Sequence, residues 1–99
     1  MLDFYIIEDD EPKPNDPGRG SLIYAGGLDD MTFDNLQRKG IIDDKFDFYS
    51  NFRWGTSLIA QIRQTIQKKN MESDSDVRAL VVLLDLAERH ESGLIAYGD

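Results

Sequence analysis

Cysteine is absent from this sequence, and histidine occurs once, as His90. Without cysteine the chain forms no disulfide, holds no thiolate-bound metal and offers no cysteine nucleophile. A single histidine also excludes a metal site built on two imidazoles of one chain. We expect His90, in the run ERHESG, to make a favourable contact with the C-terminal end of a helix and not to act as a general base.

Basic leader sequences and long apolar runs are missing as well. The start, MLDFYIIEDD, has no basic region, and its apolar run is too short for a signal peptide. No apolar run elsewhere approaches the length that crosses a membrane. Together with the lack of cysteine, which suits a reducing compartment, these observations predict a soluble, cytoplasmic protein with no membrane partner.

Motifs for nucleotides and metals are not found. The stretches PGRGS and AGGLDD continue neither as GxGxxG nor as the GK[ST] run of a phosphate-binding loop. No acidic stretch has the alternating ligands, central glycine and final glutamate of a calcium loop. We therefore interpret the aspartates as helix caps and turn residues, and we predict no catalytic residue, no metal site and no cofactor.

Positive charge is scarce. The chain has 11 lysines and arginines against 19 aspartates and glutamates, so its formal net charge is −8. The imbalance lies in residues 1–50, which carry 12 acids against 5 bases. Such a field repels nucleic acid and attracts basic protein surfaces, which predicts a protein partner with a basic surface and no nucleic acid. Solubility alone is the simpler interpretation of the same charge.

Strand and helix patterns fill what remains of the chain. Its 99 residues fit a single domain, 1–99, and no repeat of fixed period is visible. Three β-prone runs predict strands, and Gly26 and Gly27 predict a turn after the second. The predicted strands are Leu2–Ile7, Ser21–Ala25 and Gly93–Tyr97. Residues 8–20 hold all three prolines and are expected to form an exposed loop.

Helical periodicity predicts one short helix and two long ones. Their predicted N-caps are Asp29 or Asp30, Thr56 or Ser57, and Asp74 or Ser75. The short helix ends at Gly40, and we expect Leu36 with Met31 or Phe33 to anchor it. The predicted fold class is α+β, with a small mixed sheet of about three strands, the two long helices packed on one face, and the short helix beside them. We expect the first and last strands to be neighbours, and the first to be central with both faces covered.

Five of the ten aromatic side chains fall between Phe46 and Trp54, in the sequence FDFYSNFRW. In an extended segment alternate side chains point to opposite faces. The core face would hold Phe46, Phe48, Phe52 and Trp54, and the polar face would hold Asp47, Tyr49, Asn51 and Arg53. We expect the phenylalanines to be buried, and Tyr49 and Arg53 to be more exposed. The alternative is that the whole stretch lines the core.

The residues predicted to bind a partner lie in this stretch and just before it, because tyrosine and arginine are enriched in binding hot spots. They are Asp43, Asp44, Asp47, Tyr49, Asn51, Arg53 and Trp54. In its size and its acidic, aromatic-bearing surface the chain resembles the small acidic immunity proteins that bacteria encode beside polymorphic toxins. That resemblance implies a non-enzymatic inhibitor that binds a basic toxin surface, and it carries over no functional residue.

Two other functions stay open at the level of the sequence. A small enzyme or ligand-binding domain would bring Asp43, Asp44, Asp47 and His90 together around a cleft. A homodimer would join two copies through the aromatic face or through an unpaired strand edge.

Overall fold

The computed structural model describes residues 1–12 and 22–98. In chain order the elements are β1 (Leu2–Ile7), β2 (Ile23–Leu28), α1 (Asp30–Arg38), β3 (Phe52–Trp54), α2 (Thr56–Lys68), α3 (Ser75–Arg89) and β4 (Gly93–Tyr97). Most of the loop predicted at 8–20, and the first residue of the predicted second strand, lie outside the described residues. No helix in the described ranges has the length and apolar character needed to span a membrane.

The sheet has the strand order β2-β1-β4-β3 and is antiparallel throughout. The first and last strands pair directly, from Asp3 opposite Tyr97 to Ile7 opposite Gly93, and β1 is central. The expected pairing of the first and last strands and the expected central position of the first strand are therefore confirmed. The sheet differs from the predicted mixed, three-stranded one because β3 adds a short fourth strand beside β4 and every pair runs antiparallel.

One face of the sheet carries the core. Leu2, Phe4 and Ile6 alternate along β1, and all three are buried against the helices. Their helical partners are Phe33 and Leu36 of α1, Ile59, Ile62 and Ile66 of α2, and Val77, Leu80, Leu83, Leu84 and Ala87 of α3. On the other face of β1, Asp3 and Tyr5 are only half-buried, so the expectation that both faces of this strand are covered is wrong for its first half.

Strand β2 does not end where the sequence predicts. Gly26 and Gly27 continue it to Leu28, and the pairing passes from Phe4 opposite Gly26 to Tyr5 opposite Tyr24, so Ala25 is the extra residue of a β-bulge. Gly26 has a φ of +144°, and a Cβ there would lie 2.9 Å from Leu83 Cδ2. Gly26 therefore lies beside a β-bulge and in close contact with α3, and neither Gly26 nor Gly27 forms the predicted turn.

The helix caps follow the prediction at two sites and depart from it at a third. The Asp29 carboxylate accepts a hydrogen bond from the Thr32 backbone nitrogen at 2.7 Å, and that contact lowers the pKa of Asp29. Asp74 caps α3 through the backbone nitrogens of Asp76 and Val77. At α2 the N-cap is Gly55, which has no side chain to offer, so the cap predicted at Thr56 or Ser57 is wrong.

The aromatic stretch is extended only over its last three residues, Phe52–Trp54. Before them the chain turns twice, and Phe46 and Phe48 are half-buried against the edge of the core. Phe52 is half-buried as well. The burial predicted for the three phenylalanines is therefore partial, and for Phe46 and Phe48 the reason is that turns replace the strand that would have aligned their side chains.

Candidate partner-binding surface

Two consecutive turns over residues 43–51 fix the backbone of the predicted partner-binding segment. Asp43 Oδ1 accepts a hydrogen bond from the Lys45 backbone nitrogen at 2.9 Å, and Asp47 Oδ1 accepts one from the Tyr49 backbone nitrogen at 3.0 Å. Gln37 of α1 ties the segment to the helix, since its Nε2 donates to the Phe46 carbonyl oxygen at 2.7 Å. These side chains take the turn roles expected of aspartate, and the segment is held without a partner.

Tyr49 is the exposed aromatic residue of this segment. Its side chain is 62 % exposed, and its ring packs edge-to-face on Phe48 with 5.1 Å between centroids. Its hydroxyl is 3.5 Å from Asp30 Oδ2, in the first turn of α1. The ring is therefore held along one edge and at its tip while its remaining surface is accessible.

Exposed carboxylates occur on the same segment as Tyr49 and at the start of α1. Asp43, Asp44 and Asp47 are exposed on the same segment, and Asp30 is exposed on α1. We call Asp30, Asp43, Asp44, Asp47 and Tyr49 the Tyr49 patch. An aromatic ring among exposed carboxylates has the composition that a lysine- or arginine-rich protein surface complements.

Asn51 links the segment that carries the Tyr49 patch to the end of β4. Its Oδ1 accepts a hydrogen bond from the Gly98 backbone nitrogen at 3.1 Å, which joins the segment to the residue after β4. A Cβ at Gly98 would lie 2.6 Å from the Phe48 carbonyl oxygen, so the two backbones are in close contact. Asn51 is exposed, but this bond gives it a structural role that the sequence did not indicate.

Arg53 is not the exposed anchor that alternation predicts. It is half-buried, and its Nη1 donates to the Glu11 carbonyl oxygen at 2.7 Å while its Nη2 donates to those of Glu8 and Asp9. Three carbonyl oxygens thus engage the guanidinium, whose planar set of donors suits such a contact. Arg53 fastens the segment after β1 to β3, and we assign it to structure instead of to binding.

Trp54 also belongs to the interior. Its side chain is 0 % exposed and contacts the rings of Phe4, Phe46 and Phe52, at centroid distances of 5.2, 5.9 and 5.5 Å. Its indole Nε1–H has no hydrogen-bond acceptor among the residues that the structure describes. A residue with no accessible surface contacts no partner in this conformation, so Trp54 leaves the set of partner-binding candidates.

Three tyrosines that sequence reasoning missed gather on the face of the sheet opposite the core. Tyr5 packs edge-to-face on Tyr24 at 5.3 Å and on Tyr97 at 5.8 Å between ring centroids. Asp3 lies on the same face, and its Oδ1 accepts a hydrogen bond from the Tyr24 hydroxyl at 3.1 Å. We call Asp3, Tyr5, Tyr24 and Tyr97 the tyrosine face. The alternation of Leu2, Phe4 and Ile6 with Asp3 and Tyr5 was the available signal.

His90 and Asp43 border separate hollows on the surface. His90 ends α3 and borders a hollow of about 250 Å³ with Glu8, Glu11 and Ser92. Asp43 borders a different hollow of about 200 Å³, which is also lined by Phe46 and Leu58. Both are smaller than the roughly 300–1,000 Å³ typical of small-molecule sites. Among the described residues no group of three His, Cys, Asp or Glu side chains is arranged to hold a metal ion.

Comparison of the chain with protein-family models, with curated proteins and with solved structures finds no match. Its function is therefore inferred from its own surface chemistry. Two surfaces, the Tyr49 patch and the tyrosine face, combine tyrosine rings with carboxylates and so suit contact with a protein partner. These two surfaces meet at one end of the sheet, because Gly98, next to Tyr97, packs on the backbone of residues 48–50.

Proposed function

We propose that the chain is a non-enzymatic protein-interaction module, an inhibitor of the immunity type, that binds the basic surface of a partner through the Tyr49 patch. The observation that carries the proposal is the exposure of Tyr49 beside the carboxylates of Asp30 and Asp47, on a backbone that the protein itself holds in place. A contact residue that is already ordered loses little conformational entropy on binding, so more of the contact energy appears as affinity.

Charge and contact have separate roles in this proposal. The formal net charge of −8 and the exposed carboxylates attract a basic surface and increase the association rate, an effect that salt screens. Tyr49 supplies the apolar contact that excludes water and determines the dissociation rate. Asp44 is a suitable probe of the charge effect because it is exposed on the patch.

The test uses the product of the neighbouring gene as the probe, with affinity measured by calorimetry at about 50 mM and about 300 mM salt. Tyr49→Ala should weaken binding at least about 30-fold, as hot-spot truncations do. Asp44→Asn should weaken binding by a smaller factor and reduce its dependence on salt. Val82→Ala and Glu72→Gln are matched controls, because both residues are exposed on or beside α3 and neither belongs to the patch.

Circular dichroism and urea unfolding of each variant establish that its fold is intact. An affinity that does not respond to salt, or that Tyr49→Ala leaves unchanged, would overturn the proposal. An effect of Glu72→Gln equal to that of Asp44→Asn would also count against it, because overall charge and not the patch would then explain the binding.

The homodimer remains a second candidate, and the outer edge of β2 favours it. Among the described residues β2 pairs only with β1, and residues 23–28 carry no charged side chain that would repel a second copy. Ile23 and Tyr24 are exposed on this strand. Light scattering at two concentrations tests the idea: a mass of about 11.3 kDa at both would exclude the dimer.

A further inference from the structure

The face of the sheet opposite the core is built differently on its two sides. The pairing places Tyr24, Tyr5, Ile95 and Arg53 in one row across the four strands, with Asp3 and Tyr97 in the next row. On the β3 side, Arg53 is bound to carbonyl oxygens of the segment that follows β1. On the β2 side, Tyr24 is 54 % exposed, and Tyr5 and Asp3 are half-buried.

A carboxylate and an aromatic ring are held together at this point. The Tyr24 hydroxyl donates to Asp3 Oδ1, which fixes that oxygen and orients the carboxylate. Tyr5 packs edge-to-face on Tyr24 with an angle of 66° between ring planes, and this contact restricts the movement of the Tyr24 ring. Desolvation, and then the bond to Asp3, raise the pKa of Tyr24, and its hydroxyl is the donor in that bond.

We propose that the β2 side of the tyrosine face binds an arginine side chain of the partner protein. The guanidinium would stack on the ring of Tyr24 and donate to the Asp3 carboxylate. Arginine fits better than lysine, because a planar group stacks on a ring and presents donors along its edge at the same time. The inference rests on the proposed function, since a basic partner seated on Tyr49 lies at the same end of the sheet and supplies the arginine.

The experiment needs no partner protein. The full, ¹⁵N-labelled chain is titrated with N-acetyl-arginine amide while backbone amide shifts are followed by NMR. We expect saturating shifts at Asp3, Tyr5 and Tyr24, with a dissociation constant on the order of a few millimolar. N-acetyl-citrulline amide, which has the same shape without the charge, should produce no saturating shift there, and N-acetyl-lysine amide should bind more weakly than the arginine compound.

Three variants locate the site. Asp3→Asn removes the charge and Tyr24→Ala removes the ring, and each should raise the dissociation constant at least about fivefold. Tyr24→Phe keeps the ring and removes only the hydroxyl that donates to the Asp3 carboxylate, so it should raise the dissociation constant less than Tyr24→Ala does. Val82→Ala, on the exposed side of α3 and outside both surfaces, should change nothing. Shifts that saturate equally with citrulline, or that survive Asp3→Asn or Tyr24→Ala with an unchanged dissociation constant, would overturn the proposal.

The two proposals fail separately. If Tyr49→Ala abolishes partner binding while the arginine compound produces no shift at Asp3, the patch stands and the arginine site is refuted. If the arginine compound binds at Asp3 but Tyr49→Ala leaves the affinity for the partner unchanged, the arginine site is confirmed. Its assignment to this partner is then refuted together with the proposed function.

Discussion

Asp9 caps the N-terminus of α2, although 47 positions separate it from Thr56 in the chain. Its Oδ1 accepts a hydrogen bond from the Thr56 backbone nitrogen at 3.0 Å, and its Oδ2 accepts one from the Thr56 hydroxyl at 2.5 Å. Gly55, the local N-cap, offers no side-chain oxygen. The carboxylate therefore satisfies a helix donor that would otherwise face water, and it fixes the segment after β1 against the start of α2.

This contact predicts a dependence of stability on pH. The hydrogen bonds from Thr56 lower the pKa of Asp9 below its ordinary value of 3.8. The contribution of Asp9 is therefore complete above that value and is lost as the pH falls through the lower pKa of the folded state. Asp9→Asn should lower the urea midpoint at pH 6, and its difference from the native chain should shrink towards pH 2. Asp10→Asn, in the same segment, is the control; equal midpoints for the two variants at pH 6 would contradict the cap.

Arg53 should affect stability and not binding. Arg53→Ala removes donors to three carbonyl oxygens, so the free energy of unfolding should fall by about 2 kcal/mol, as for hydrogen bonds to charged groups. Affinity for the partner should change less than twofold once the variant is folded. Arg78→Ala, on the exposed side of α3, serves as the charge-matched control. A folded Arg53→Ala that loses affinity as Tyr49→Ala does would restore Arg53 as a contact residue.

Trp54 should be the more costly of two aromatic truncations. Trp54→Ala should reduce the free energy of unfolding by about 3–5 kcal/mol, because it empties a fully buried site. Trp54→Phe should cost much less, since the indole N–H that it removes has no acceptor among the described residues. Phe48→Ala should lie below Trp54→Ala, because Phe48 is half-buried. Chemical denaturation gives the order, and a Phe48 cost equal to that of Trp54 would contradict it.

Gly93 should tolerate no side chain. A Cβ there would lie 2.4 Å from the Trp54 carbonyl oxygen and 3.2 Å from Gly55 Cα, and backbone atoms cannot move aside as the end of a flexible side chain can. Gly93→Ala should therefore lower the free energy of unfolding by about 2 kcal/mol or more, as overpacked sites do. Gly55→Ala is a matched control, since its Cβ would meet Asp9 Oδ1 at an ordinary 3.4 Å. Thermal unfolding of both variants is the measurement, and similar midpoints would exclude the crowding at Gly93.

The elements that periodicity marks clearly were predictable from the sequence. The apolar repeats of α2 and α3, the aspartate caps at Asp29 and Asp74, and the pairing of the first and last strands are all confirmed. Strand β3 was not separable from a loop, because three residues are too few to show a period. Gly26 misled the prediction, since a glycine in a bulge and a glycine in a turn look alike in the sequence.

The surface was less predictable than the fold. Alternation placed Tyr49 correctly on the outside, but it placed Arg53 there too, because its acceptors lie more than forty positions away in the chain. The tyrosine face was missed for a related reason. Tyr5, Tyr24 and Tyr97 belong to three different strands and become neighbours only through the strand order.

The pairing of the first and last strands has a consequence for the order of folding. β4 lies between β1 and β3, so the middle of the sheet is completed by the last of the four strands to be synthesised. Until then β1 and β3 each present an unpaired edge, and the apolar side chains of β1 have only part of their cover. A nascent chain in this state is open to wrong strand pairing, and we expect newly made protein to depend on rapid arrival of β4 or on chaperones.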